Sequence, residues 1–178
     1  QQVAALTTDQ VATLSTAQIA ALTTKELAAL TTDQSAALTT DQVANGLTTL
    51  QIAALTTAQA AALTTDQIAS GLSTRQVAAL ETADLAALTT DQVAQGLTTK
   101  QVVALTTNQA ANGLTTDQIA GLTTNQVLAL ETLDLVALKT AQVAALTTGQ
   151  IVTLTTQQIA ALETTDVGAF TTDQVAAL

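Results

Sequence analysis

The stretch Leu6–Thr13, reading Leu-Thr-Thr-Asp-Gln-Val-Ala-Thr, restricts this chain more than any other feature, because it recurs as far as the final Leu178. Self-similarity at a short fixed period points to a repeat architecture, in which each unit is completed by its neighbours. With Leu as position 1, the spacing is eight residues. It lengthens to nine where Gly46, Gly71, Gly96 or Gly113 precedes the next Leu. Position 3 is Thr in every copy. Position 5 is Gln except at Glu26, Asp84, Asp134 and Asp166, and position 6 is Val, Ile or Leu except at Ser35, Ala60 and Ala110. The array comprises 21 units from Leu6, one continuous stretch over residues 1–178 with no linker or composition shift.

Each unit carries its own helix start. Positions 2 to 5, as in Thr7–Gln10, form a capping box: the Thr hydroxyl accepts from the N3 backbone N–H, and the Gln side chain reaches back to the cap N–H. Leu at position 1 and Val or Ile at position 6 then occupy N′ and N4, the two ends of a hydrophobic staple. Asp at position 4 (Asp9, Asp41, Asp66, Asp91) falls in the first turn, where the helix dipole favours an anion. These signals predict an all-α solenoid of very short capped helices. A helix of about six residues is unstable alone, so stacked neighbours must complete it. A β-solenoid is the alternative, disfavoured because Gln and Ala-Ala-Leu suit strands poorly.

All charged side chains fall at positions 2, 4 or 5. Positions 1 and 6 are therefore expected to face inward and the helix starts to face water. Asp41-Gln-Val-Ala-Asn-Gly-Leu returns 25 residues later as Asp66-Gln-Ile-Ala-Ser-Gly-Leu, and the weak column Ser35, Ala60, Leu85, Ala110, Leu135 keeps the same step. That period predicts three helices per coil, with Gly at a recurrent corner as a left-handed C′ residue. Charge argues for four: three per coil stacks Asp41, Asp66, Asp91 and Asp117 and sets Arg75 over Lys100, whereas four sets Arg75 beside Asp41. Where Glu81, Glu131, Lys139 and Glu163 replace the position-2 cap, the cap is expected to pass to Thr82, Thr132, Thr140 and Thr164.

Composition narrows function by exclusion. A net charge of −10 with four basic residues does not suit nucleic acid. Apolar runs of four or five residues, broken by Thr-Thr, are too short to span a membrane. With no His and no Cys, nothing supplies a nucleophile–base pair, so no enzyme and no catalytic, cofactor-binding or metal residues are expected, nor a small-molecule substrate. The pairs Glu81/Asp84 and Glu131/Asp134 read as solvated surface charge. The Asp column carries no Asp-x-Asp-x-Asp-Gly loop of the kind that holds Ca²⁺. Beginning at position 4 of a unit, with no initiator Met, the chain is expected to be an excerpt of a longer protein.

The run Leu-Thr-Thr-Asp-Gln-Val-Ala-Ala-Leu resembles the Thr/Ala/Leu-rich repeats of very large bacterial surface and secreted proteins, adhesin-like ones included. The resemblance implies an extracellular or cell-surface structural protein. The leading expectation is a stiff rod, stalk or filament subunit, self-associating end to end because neither end carries a distinct capping repeat. The alternative is a binding module presenting its Thr or acidic face to ice, Ca²⁺ or a surface.

Overall fold

The computed structural model describes residues 3–178. After a single turn at Val3–Ala5 come twenty-one short helices, one per unit, with no strand among the described residues. Every helix starts where the repeat says it should. The reciprocal capping box forms in all units except the four beginning Glu81, Glu131, Lys139 and Glu163. At Thr7, for example, the backbone N–H donates to Gln10 Oε1 at 2.8 Å and the hydroxyl accepts from the Gln10 N–H at 3.2 Å.

Each helix packs on the one three units earlier. The charge argument for four per coil is overturned, and seven coils of three result. The first column comprises Thr8–Ala12, Thr32–Ala36, Thr57–Ala62, Thr82–Ala87, Thr107–Gly113, Thr132–Ala137 and Thr156–Ala161. The second comprises Thr16–Ala21, Gln42–Gly46, Gln67–Gly71, Gln92–Gly96, Thr116–Gly121, Thr140–Ala144 and Thr164–Val167. The third comprises Thr24–Leu27, Thr49–Ile52, Thr74–Ala79, Thr99–Val103, Thr124–Ala129, Thr148–Ile151 and Thr172–Ala176. Like charges therefore do stack, Asp41, Asp66, Asp91 and Asp117 in the second column, Arg75 and Lys100 in the third. Exposed charges interact by about 1 kcal/mol or less, whereas burial of the aliphatic positions and the hydrogen bonds below act at every step.

Position-6 side chains from all three columns meet in one continuous core. Val11, Ile19, Leu27, Val43, Ile52 and Ile68 are fully or almost fully buried, and the Leu side chains of position 1 close around them. With no aromatic but Phe170, the core fits by alternating sizes: in the first column Leu85 lies between Ala60 and Ala110. Ser35, the one hydroxyl in this core position, donates to its own helix at Thr31 O, 3.0 Å away.

The glycines correct the expectation of a left-handed corner, since no described residue has a positive φ. The ninth residue is absorbed instead as a wide turn: Leu47 N–H donates to Gln42 O at 3.0 Å and Leu72 N–H to Gln67 O at 2.9 Å, a spacing of five. Glycine is needed there for close approach. A Cβ on Gly71 would lie 3.0 Å from Val43 Cβ in the coil beneath. Gly149, by contrast, opens onto free space, with only Thr147 Oγ1 at 3.9 Å. Gly71→Ala is thus expected to destabilise by about 1–3 kcal/mol, overpacking a seam whose β-branched neighbour cannot swing away. Gly149→Ala is expected to stabilise by up to about 1 kcal/mol through helix propensity. Urea unfolding of the two variants measures both, and effects of the same sign would contradict this division between packed and open glycines.

Candidate functional site

Short helices leave their last carbonyls without intrahelical donors, and the position-5 glutamines resolve that shortage between coils. Gln59 Oε1 accepts from the Thr56 N–H at 3.0 Å, capping its own helix. Its Nε2 donates to Leu27 O and Leu30 O of the coil beneath, both at 2.8 Å. Gln109 repeats the arrangement on Val77 O and Leu80 O, and Gln118 on Leu85 O and Leu88 O. From Gln34 onward these glutamines are buried. The helix starts therefore do not simply face water: position 5 turns inward and stitches each coil to the last.

One sequence signal could have revealed this. An exposed N3 residue in a capping box does well as Glu, which also suits the helix dipole, yet the array uses Gln almost throughout. Only a neutral amide can both accept from its cap and donate downward. The one Glu at this position, Glu26, belongs to the first coil, which has no described coil beneath it. Its carboxylate is held below the usual range by the Thr23 backbone N–H at 2.9 Å and then the Thr23 hydroxyl at 2.8 Å.

The three aspartates at position 5 interrupt the seam. Asp84, Asp134 and Asp166 are 3%, 4% and 5% exposed, which corrects the reading of the Glu/Asp pairs as solvated. By register with Gln59 and Gln109, Asp84 replaces the amide that would serve Ile52 O and Leu55 O. Its Oδ2 is the one buried side-chain polar atom without a hydrogen-bond partner among the described residues. Burial, then the nearby Glu81 charge, raises the Asp84 carboxyl to about 6 against the pull of the Glu81 backbone N–H. Burial and Glu131 raise Asp134 in the same way. Nor does the cap pass onward in these units. Glu81, Glu131, Lys139 and Glu163 remain at the cap position without a side-chain capping bond, and the helices still begin at Thr82, Thr132, Thr140 and Thr164. Stacking holds the register that the missing caps no longer define.

The outward columns offer simpler geometry. Most position-3 threonines are exposed, the rest half-buried. Asp41, Asp66, Asp91 and Asp117 stand on successive second-column helices, Asp41 accepting from Asn45 Nδ2 at 2.7 Å. Among the described residues no three carboxylates gather closely enough to hold a metal ion, and no helix is long and apolar enough to cross a membrane.

A single aliphatic core, three helices per coil and a glutamine seam joining each coil to the next define a structural repeat protein of the α-solenoid class. The chain belongs to the ALTTAQ repeat family, whose model matches residues 1–24, 14–45, 70–95, 77–112, 127–164 and 153–178. No curated protein and no solved structure matches it.

Proposed function

We propose that the array is a stiff spacer that assembles end to end into a stalk or filament outside the cell, with no catalytic role. The observation that carries this reading is the glutamine seam, which recurs from coil to coil and gives the junctions a common interface. The first and last coils carry complementary halves of that interface. Gln10 and Gln18 cap their own helices with Oε1 and expose their side chains. At the other end Leu154 and Leu162 are the counterparts of the carbonyls that accept glutamine amides within the array. A second copy stacked head to tail brings these donors and acceptors together in the first and second columns, while in the third Glu26 stands where an amide would donate, as Asp84 does within the array; the contact propagates instead of closing. The extracellular placement is supported by the resemblance to the Thr-rich repeats of bacterial surface proteins, with which the exposed position-3 threonines agree.

Electron microscopy with concentration-dependent light scattering tests the proposal. Continuous fibres whose repeat equals one coil are the expected result. Discrete monomeric rods at high concentration would sink the filament.

A further inference from the structure

Position 7 is occupied by Ala through nearly all of the array, and Val103, Leu128, Val136 and Val152 are its only large residues. All four fall within three consecutive coils. Val103, Leu128 and Val152 occupy the third column on successive helices, and they are 44%, 46% and 60% exposed. Beside them Leu133 stands at position 4 of a first-column helix, 72% exposed, where the same column carries Ala58 and Ala83 elsewhere. None of these side chains is needed by the core, because the coils with Ala at the same places fold in the same way. Val103, Leu128 and Leu133 line a groove of about 490 Å³ together with Thr132, Thr155 and Glu131. Clefts of this size suit a few inserted side chains.

The groove's electrostatics select among occupants. Glu131 is its only charged lining residue, exposed and without a capping bond. It already disfavours the charged form of the buried Asp134 beside it. A cation seated at Glu131 relieves that repulsion, and the field of a chain of net charge −10 favours a basic occupant. We infer that the Val103–Leu128–Leu133 groove docks a basic amphipathic peptide segment of another protein, its aliphatic side chains in the groove and a Lys or Arg on Glu131. This is the helix-in-groove mode of recognition, in which spaced apolar anchors supply affinity and flanking charge supplies orientation. It gives the otherwise uniform spacer one place of attachment, and it stands whether or not the ends polymerise.

Fluorescence anisotropy with a labelled Leu/Lys amphipathic peptide tests it on the whole chain at physiological salt. A Lys/Ser peptide of equal charge and a Leu/Glu peptide with the same leucines serve as controls. The triple variant Val103→Ala/Leu128→Ala/Leu133→Ala installs residues the repeat already uses at those positions, so its helicity and melting curve are expected to match the parent. Its affinity for the Leu/Lys peptide should fall at least about tenfold, one anchor's worth of burial or more. Glu131→Gln should weaken binding severalfold, while Leu50→Ala, an exposed leucine on a distant coil, should leave it unchanged. Equal binding by the triple variant, or by either control peptide, would overturn the proposal. So would a dimer in sedimentation that the triple variant dissolves, because the groove would then be filled by a second copy.

Discussion

Replacing Asp84 by Gln should stabilise the array by about 2–4 kcal/mol at pH 7 to 8 and remove this carboxyl's share of the stability change between pH 4 and 6. The fold raises this carboxyl from its ordinary 3.8 to about 6, so the folded state holds the proton more tightly than the unfolded chain. Stability from that proton is complete below about pH 4 and is lost as pH rises through about 6. Above that, a buried anion faces backbone carbonyls in a place where Gln59 and Gln109 present an N–H. Holding the proton that much more tightly is worth roughly 3 kcal/mol, and the restored amide adds two buried hydrogen bonds. Asp84→Asn separates the contributions: it stays neutral and flattens the pH profile, but it is one methylene short of the carbonyls and should recover only part of the stability. Denaturant titrations of the three proteins from pH 4 to 8 provide the measurement. Indistinguishable slopes for the parent and Asp84→Gln would mean that the carboxyl is ionised freely in the fold.

Leu85→Ala should cost about 3–5 kcal/mol, the upper part of the range for a buried leucine. Leu85 is fully buried, and its neighbours along the column are Ala60 and Ala110, which have no length with which to collapse into the space. Gly113 completes the fit, because a Cβ there would lie 2.9 Å from Leu85 Cδ2. The same reasoning predicts that Ala110→Leu is destabilising in the parent and much less so beside Leu85→Ala, since total volume is then conserved. A double-mutant cycle by urea unfolding gives the coupling energy. Additive effects would mean that the two sites do not share one packing space.

Much of the architecture is legible in the sequence because its determinants are local. The Thr-x-x-Gln box identifies each helix start within four residues, and the Leu and Val/Ile positions mark the buried stripe, so the unit number and the all-α class follow from single units. The 25-residue step of Asp41, Asp66 and Asp91 carries the three-helix coil as well, against a surface-charge argument too weak to oppose it. The candidate sites are less legible. Glu81/Asp84 and Glu131/Asp134 look solvated in sequence because charge alone says nothing about what a neighbouring coil places on top of it. The groove at Leu128 and Leu133 stands out only once those side chains are seen to lie outside the core.

The amino-acid sequence by itself thus determined where the helices with a Thr or Ser cap begin, which aliphatic residues enter the core, and that no unit folds alone; these depend on caps and periodicity within a few residues. The tertiary structure alone decided that position 5 is a donor between coils, that the corner glycines serve close approach with negative φ, and that the helices beginning at Thr82 and Thr132 keep register although Glu81 and Glu131 make no side-chain capping bond. Each of those outcomes depends on atoms some thirty residues away along the chain. Stacking places them a hydrogen bond or a van der Waals contact apart, and no local pattern records that distance.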